Sequence, residues 1–316
     1  MLEYVFFAVG IFLLIKGAEF LIDGASHLAS KLGVSKLVIG LTVVAMGTSA
    51  PELFINVIAA AKGQSDIAIG NIVGSNISNL LLILGVMLLV SNIKIEKQAL
   101  KKDLPYSFLI TLLLLFFALT TIPKGHNNAL SVIEGIIMMS LFLLYLKRMY
   151  KLAKKQKITT EINLKNKKPF VIASNIIIGA IGLYIGGELV VNGTISIASS
   201  LGVSEYVISL TIIAIGTSLP ELVTGVVAVT KKQASLGIGN IIGSNIFNIL
   251  WVLGITALIR ETAFPVYASF DITFLLIATT MVFLLSFTQK QNELKKIHGA
   301  SFLIIYAVYL VLLFLR

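Results

Sequence analysis

Residues 45–52 read AMGTSAPE and residues 214–221 read AIGTSLPE, so one octapeptide pattern occurs twice in the 316-residue chain. A shift of 169 residues superimposes the two copies and aligns the surrounding sequence without gaps. Under this shift, 15 of 22 residues match between positions 32 and 53, and 9 of 11 match between positions 69 and 79. The sequence therefore predicts two homologous halves.

The composition around these motifs is that of a membrane protein. Apolar residues make up 57% of the chain, charged residues 13%, and the mean hydropathy is +0.97, whereas soluble proteins average about 25% charged residues. A soluble enzyme, a disordered protein and a nucleic-acid-binding domain are excluded. There is no cysteine, and the three histidines fall in polar connecting stretches, so a thiolate or histidine metal site is not expected.

Ten apolar stretches are long enough to cross a bilayer as helices, which takes about 20 residues. Their approximate bounds are 4–25, 37–61, 66–91, 104–122, 129–147, 169–195, 205–229, 235–259, 269–287 and 300–315. The first stretch is not expected to be a cleaved signal peptide, because no basic region precedes it and further membrane segments follow. The predicted fold class is an all-α membrane protein with ten transmembrane helices.

The basic residues predict the orientation of these helices. If the N-terminus is outside, the inward connections carry 20 lysines and arginines and the outward ones carry four. Because positive charge favours the cytoplasmic side, both termini are predicted to lie outside. The net charge of +10 is then a topology signal with some attraction to anionic lipid, and it requires no acidic partner.

The two halves are predicted to be inverted relative to each other. Each half contains five spans, so the second half enters the membrane from the opposite side, as in many secondary transporters with sites near the bilayer midplane. The predicted organisation is a first repeat at 1–146, a basic cytoplasmic linker at 147–168 and a second repeat at 169–316.

Both octapeptides place a carboxylate in the middle of a span. Glu52 and Glu221 would each cost at least a few kcal/mol there unless they are paired or solvated. Pro51 has no N–H, so the carbonyl of Gly47 loses its helical partner, and Pro220 has the same effect in the second copy. Broken helices are tolerated in a membrane only where they are buried or line a cavity, which predicts a polar space beside both glutamates.

The residues expected around this space offer only oxygen ligands. Thr48 and Ser49 lie four and three residues before Glu52, so all three can face one space. Further hydroxyl and amide groups come from Ser75, Asn79, Thr217, Ser218, Ser244 and Asn248. Hard oxygen ligands suit Ca²⁺, Na⁺ or Mg²⁺, and because Mg²⁺ tends to keep its waters, the set favours Ca²⁺ and Na⁺.

Each of these features also has a structural explanation. Proline kinks are commonly structural, membrane serines and threonines often bond to their own turn, and Asn76 and Asn245 could be hydrogen bonds between helices. Glu19 and Glu188 are a repeat pair for which structural pairing is favoured and a role in ion access is the alternative. The combination of carboxylate, helix break, hydroxyl pair and repetition favours an ion site at the two octapeptides.

The motif Gly-Thr-Ser-x-Pro-Glu occurs twice, each time followed by Gly-Ser-Asn-Ile-x-Asn, and this pattern resembles the alpha repeats of the cation/calcium antiporter superfamily. The nearest branch is the prokaryotic sodium/calcium exchangers, and the resemblance covers essentially the whole chain. It implies a multi-pass antiporter of a prokaryotic plasma membrane that exchanges Ca²⁺ for Na⁺ by alternating access, with no cofactor and no protein partner.

The resemblance also implies which residues hold the ions. The implied ligands are Thr48, Ser49, Glu52, Ser75, Asn79, Thr217, Ser218, Glu221 and Ser244, with the carbonyls of Ala45 and Ala214. It further implies that the first and sixth helices form a sliding gate on flexible glycines, namely Gly17, Gly24, Gly186 and Gly193.

Asn248 departs from part of the family. Several members, including potassium-dependent exchangers, carry aspartate at this position, so Asn248 argues for exchange that is independent of K⁺. The amide oxygen of Asn248 can still ligate a cation, which keeps this residue in the predicted site.

Three other functions remain as alternatives. A Ca²⁺/H⁺ antiporter could use the two buried glutamates to carry protons, although the resemblance favours sodium. A channel would need a continuous wet path without coupling. An intramembrane enzyme is the least favoured, because the sequence lacks a histidine pair, a cysteine, or a serine with a plausible base.

Overall fold

A computed structural model describes residues 2–120, 128–155, 168–200 and 216–315 of the chain. Long helices account for most of these residues. They are α1 Leu2–Leu32, α2 Lys36–Thr48, α3 Ala50–Lys62, α4 Ser65–Val90, α5 Ala99–Leu119, α6 Val132–Lys155, α7 Pro169–Ser200, α8 Leu219–Thr230, α9 Ala234–Ile259, α10 Ala268–Thr288 and α11 Lys296–Phe314. The chain is therefore an all-helical membrane protein, as predicted.

Two small antiparallel pairings connect loops that are distant in sequence. Strand β1 (Ile93–Lys94) pairs with β4 (Glu293–Leu294), which follows a short 3-10 turn, and β2 (Ala129–Leu130) pairs with β3 (Thr262–Ala263). Each pair joins a connection in the first half of the chain to one in the second half.

Seven of the described helices are long and apolar enough to cross a membrane, or eight if α2 and α3, bent by 47°, form one broken span. The predicted spans 66–91, 235–259 and 269–287 agree within one residue with α4, α9 and α10. The first part of the predicted span 205–229 lies outside the described residues. The count of ten spans therefore stays a prediction.

Local sequence signals explain several helix ends. Gly33 and Gly63 follow α1 and α3 with φ of 65° and 71°, a left-handed conformation that glycine adopts without a steric penalty. At the start of α2 the Ser35 hydroxyl accepts the Val38 N–H at 3.3 Å. A side chain of this kind satisfies one of the free donors of a helix N-terminus.

Helices α4 and α9 form the centre of the molecule. In their most apolar windows 78% and 83% of the residues are buried, against 22–44% in the other spanning helices. Glycine allows α2 to approach α9 very closely, since a Cβ on Gly239 would lie 2.6 Å from the Leu37 carbonyl oxygen and one on Gly40 would lie 2.5 Å from that of Leu236. This close approach brings the first octapeptide against the centre of α9.

Helices α1 and α7 pack against each other backbone to backbone. A Cβ on Gly17 would lie 2.7 Å from the Leu183 nitrogen, and one on Gly186 would lie 2.7 Å from the Leu14 nitrogen. A carbon and a nitrogen atom that are not bonded to each other cannot lie this close without strain, so only glycine fits at these positions. Three of the glycines implied for the gate, Gly17, Gly24 and Gly186, lie at this contact.

Candidate functional site

The serines of the two octapeptides adopt the same non-helical backbone geometry before the helix that follows each of them. Ser49 ends α2 with φ −84° and ψ 7°, and Ser218 precedes α8 with φ −88° and ψ 3°. Pro51 and Pro220 occupy the first turn of the helix that follows. Proline is well accommodated there because an N–H at that position has no helical partner to lose.

The break places each glutamate at the beginning of a helix. Glu52 lies in the first turn of α3 and Glu221 in the first turn of α8. The free N–H groups and the dipole of a helix favour negative charge at its N-terminus. Both side chains are nevertheless buried, with 1% and 0% exposed surface, and a bare buried carboxylate carries a desolvation cost of several kcal/mol.

Three serine hydroxyls surround the carboxylates and join the two octapeptides into one cluster. Ser75 Oγ donates to Glu52 Oε1 at 3.5 Å. Ser49 Oγ donates to Glu221 Oε1 at 3.4 Å, and Ser244 Oγ donates to the same oxygen at 3.5 Å. Because Ser49 belongs to the first copy and Glu221 to the second, the two halves of the chain share one polar centre.

The spacing of these oxygens would suit ligands around a cation. Hydroxyl–carboxylate hydrogen bonds normally measure about 2.5–2.8 Å, and the present contacts are longer. Oxygens that each lie ~2.4 Å from a common ion at right angles are separated by about 3.4 Å. In addition, Glu52 Oε2 and Glu221 Oε2 are buried without a hydrogen-bond partner among the described residues.

Two predicted amide ligands sit at equivalent distortions of the central helices. Asn79 in α4 and Asn248 in α9 each begin a five-residue π-helical turn, a feature that occurs frequently at functional sites. Their amide nitrogens donate to Asn245 Oδ1 at 2.9 Å and to Asn76 Oδ1 at 3.0 Å. Within the described ranges, Oδ1 of both Asn79 and Asn248 is left buried without a partner.

Asn240 is a buried residue of this cluster that the sequence analysis missed. The Thr48 hydroxyl donates to Asn240 Oδ1 at 2.9 Å and lies 3.4 Å from Ser244 Oγ. Its contact with the Ala45 carbonyl in its own turn is longer, at 3.4 Å, so the hydroxyl mainly bonds across helices. The repeat could have indicated Asn240, because it matches Asn71 under the 169-residue shift.

The predicted site residues divide into three groups. Those buried around the two helix breaks and in α4 and α9 are Thr48, Ser49, Glu52, Ser75, Asn79, Ser218, Glu221, Ser244 and Asn248. The Ala45 carbonyl accepts the Ser49 N–H at 2.9 Å, and Thr217 is half-buried at the wall of a neighbouring cavity. Ala214 lies outside the described residues.

That cavity has a volume of about 210 Å³, and its wall includes Pro51, Thr217, Pro220 and Glu188. Glu188 is exposed and accepts a long hydrogen bond from Asn192 Nδ2 at 3.5 Å. Glu188 therefore faces a space beside both helix breaks, and its role in ion access stays a prediction.

Glu19, the repeat partner of Glu188, has a different environment. Its Oε2 forms an ion pair of 2.7 Å with Lys16 Nζ. This contact agrees with the structural pairing favoured for Glu19. Asn76 and Asn245 also form the predicted hydrogen bonds between helices, as each amide nitrogen donates to the other residue's carbonyl at 3.2 Å.

The charge of the cluster is confined to its two glutamates. In the part of the chain that the structure describes, no three acidic, histidine or cysteine side chains converge. Two carboxylates among neutral oxygens can neutralise one divalent cation, and the same oxygens can hold monovalent cations.

Comparison with known proteins identifies relatives along the full length of the chain. Residues 2–151 and 172–315 match the family described as sodium/calcium exchanger protein. A protein of Alkalimonas amylolytica that bears the name antiporter CaxA is 36% identical, over 98% of each chain. The sodium/calcium exchanger MaX1 of Methanosarcina acetivorans is 33% identical, over 99% of this chain and 98% of its own.

A solved structure is also similar to this chain along its full length. The sodium-calcium exchanger NCX_Mj, in a crystal soaked without Na⁺ and Ca²⁺, superimposes with a TM-score of 0.84. The superposition covers 99% of both chains, at 29% sequence identity.

Proposed function

This chain belongs to the sodium/calcium exchanger protein family, and we propose that it exchanges Ca²⁺ for Na⁺ across the plasma membrane of a prokaryote. The observation that carries the proposal is the pair Glu52 and Glu221, buried in one cluster of oxygen ligands at two matching helix breaks. Such a cluster suits Ca²⁺ and Na⁺ and offers no nitrogen or sulfur to a transition metal.

The proposed ion ligands extend beyond the two glutamates. They are Ala45, Thr48, Ser49, Glu52, Ser75, Asn79, Ala214, Thr217, Ser218, Glu221, Ser244 and Asn248. Five of these residues have a buried side-chain oxygen that lacks a partner among the described residues, namely Glu52, Asn79, Ser218, Glu221 and Asn248, which supports the central part of this set. A buried oxygen without a donor is costly unless a ligand satisfies it.

The charges of the cluster suggest how exchange is coupled. Ca²⁺ is neutralised by Glu52 and Glu221, and Na⁺ ions use overlapping sets of the same oxygens, so the two cargoes exclude each other. An empty site would expose two uncompensated carboxylates, and their transfer through the membrane interior is unfavourable. Only loaded forms therefore reorient readily, which favours exchange over leak.

Alternating access would follow from the proposed architecture. We place ten spans in two inverted five-helix repeats, 1–146 and 169–316, joined by a cytoplasmic linker at 147–168, with both termini outside. In this arrangement α1 and α7 slide across the site as a gate. Their glycine-mediated contact supports this role, because a smooth interface lets helices shift without clashes between side chains.

The first experiment measures coupling in proteoliposomes. With Na⁺ loaded inside and Ca²⁺ outside, we expect the outward Na⁺ gradient to drive Ca²⁺ uptake, with or without K⁺. A pH gradient alone should drive none. Uptake that follows pH and ignores Na⁺ would replace the proposal by its alternative, a Ca²⁺/H⁺ antiporter whose two buried glutamates carry protons.

A further inference from the structure

Four buried asparagines form a hydrogen-bonded network at the contact between α4 and α9, with Asn76 and Asn245 as its central pair. Asn76 and Asn245 donate their amide nitrogens to each other's backbone carbonyls, at 3.2 Å in both directions. Their amide oxygens accept the amide nitrogens of Asn248 and Asn79 at 3.0 and 2.9 Å. All four side chains are at most 1% exposed.

We propose that Asn76 and Asn245 are positioning residues that turn the amide oxygens of Asn248 and Asn79 toward the transported ions. This inference rests on the function proposed above, since it assumes that Asn248 and Asn79 face the cations. It assigns a role to two residues that contact the ions only through their neighbours.

The backbone determines the orientation of the whole network. A backbone carbonyl can only accept a hydrogen bond, so the nitrogen of Asn76 must face the carbonyl of Asn245. The oxygen of Asn76 is then left as an acceptor, and Asn248 has to present its nitrogen to it. The oxygen of Asn248 consequently points to the other side, and the same reasoning applies from Asn245 to Asn79.

This orientation matters because an amide side chain can be turned by 180° at little steric cost. In the observed state the oxygens of Asn79 and Asn248 are buried and lack partners among the described residues, as ligands awaiting a cation would be. In the reversed state the N–H groups would point at the ion and repel it. Partners of this kind hold the first ligands of metal sites in place, and their loss typically reduces metal affinity about 10–100-fold.

The matched variants are Asn76→Leu and Asn76→Asp. Leucine has the branched shape of asparagine, although it is larger, and it has no acceptor, so the amide of Asn248 becomes free to reverse. Aspartate keeps an oxygen that can accept from Asn248 in either protonation state. Its protonated form can also donate its hydroxyl to the carbonyl of Asn245, which restores both hydrogen bonds.

Two measurements separate positioning from folding. The first is the half-saturating Ca²⁺ concentration and the maximal rate of Na⁺-driven uptake in proteoliposomes. The second is the melting temperature of the purified protein without ions and its rise on adding Ca²⁺, which reports binding to the native state. We expect Asn76→Leu to raise the half-saturating Ca²⁺ concentration at least about tenfold, while Asn76→Asp stays close to wild type.

A double-mutant comparison provides the test that a structural role could not imitate. If Asn76 acts through the amide of Asn248, Asn76→Leu should weaken Ca²⁺ binding strongly in the wild type but add little in an Asn248→Leu background. Additive effects of the two changes, or a wild-type Ca²⁺ response in Asn76→Leu, would overturn the inference. Asn76→Asp as impaired as Asn76→Leu would also overturn it.

A buried asparagine outside this network serves as the control. Asn56 donates to the Ala68 carbonyl at 3.0 Å and accepts from Asn71 at 2.7 Å. Asn56→Leu should lower the ion-free melting temperature but leave the rise caused by Ca²⁺ intact; an equal loss of that rise would mean that any buried polar change has this effect. Failure of the proposed function itself is distinguishable, because the wild type would then show no Na⁺-driven Ca²⁺ uptake.

Discussion

At the residue scale, the cluster combines two charges with many neutral oxygens, and the charges are the part that a divalent ion requires. Glu52 and Glu221 each have one oxygen in contact with serines and one without a partner among the described residues. Neutral oxygens contribute to the size of the site and to the number of ligands. Only the carboxylates offset two positive charges in a medium of low dielectric constant.

Glu52→Gln and Glu221→Gln test this division. We expect each variant to fold and to lose Ca²⁺ transport down to the background of empty liposomes, since Ca²⁺ would be only half neutralised. Ser91→Ala, at the exposed end of α4, is the control and should transport as the wild type does. Normal exchange by either glutamine variant would remove that glutamate from the site.

Asn248→Asp tests the most unusual position of the site. A third carboxylate cannot remain ionised beside the other two unless another cation joins it or a proton neutralises it. We expect the wild type to need no K⁺ and the variant to gain a dependence on K⁺ or on pH. Na⁺-driven Ca²⁺ flux with and without K⁺, at several pH values, measures both. A variant identical to wild type in both responses would place residue 248 away from the ions.

At the scale of elements, breaks and distortions in helices create the site. The α2–α3 break and the break before α8 place both glutamates at helix beginnings, while π turns begin at Asn79 and Asn248. The backbone N–H and C=O groups of a regular helix bond to one another, so few of them remain free to bind a ligand. Irregular backbone at membrane depth is tolerated where it lines a polar cavity.

In the proposed mechanism, α1 and α7 are the elements that move across the site. Gly186→Val would place a Cβ 2.7 Å from the Leu14 nitrogen, so the helices would have to separate. We expect the maximal exchange rate to fall at least about tenfold, with the Ca²⁺-induced rise in melting temperature retained, because none of the proposed ligands lies on α1 or α7.

Gly187→Ala is the matched control for that variant. Its Cβ would meet Pro220 at 3.8 Å, an ordinary contact. It should transport at nearly the wild-type rate. Equal damage from both changes would mean that α7 tolerates no added side chain, and an active Gly186→Val would show that this close contact is not needed for transport.

At the scale of the whole molecule, the absence of cysteine from the sequence allows the proposed topology to be tested directly. Single cysteines can replace exposed residues in four connections, at Lys62, Lys94, Arg260 and Lys290. We expect a membrane-impermeant thiol reagent applied to intact cells to label Lys62→Cys and Arg260→Cys. Lys94→Cys and Lys290→Cys should react only after the membrane is permeabilised. Labelling on the opposite sides would invert the proposed orientation.

The sequence by itself determined the fold class, the approximate spans and most of the candidate site. Membrane helices follow from long apolar runs, and the bounds of α4, α9 and α10 were predicted within one residue. The candidate site could be predicted because a carboxylate in an apolar span is energetically unfavourable and is therefore rare unless it has a function. In addition, the repeat places Glu52 and Glu221 in the same sequence context.

Only the tertiary structure decided how these residues meet. Ser49 reaches Glu221, 172 positions away, and the Thr48 hydroxyl bonds to Asn240, 192 positions away; periodicity along one helix carries no information on such contacts. The orientation of Asn79 and Asn248 was equally hidden, because it depends on backbone carbonyls of the facing helix. Spacing in sequence identifies which oxygens are available, whereas the direction of each lone pair depends on which donors and acceptors the folded helices bring together.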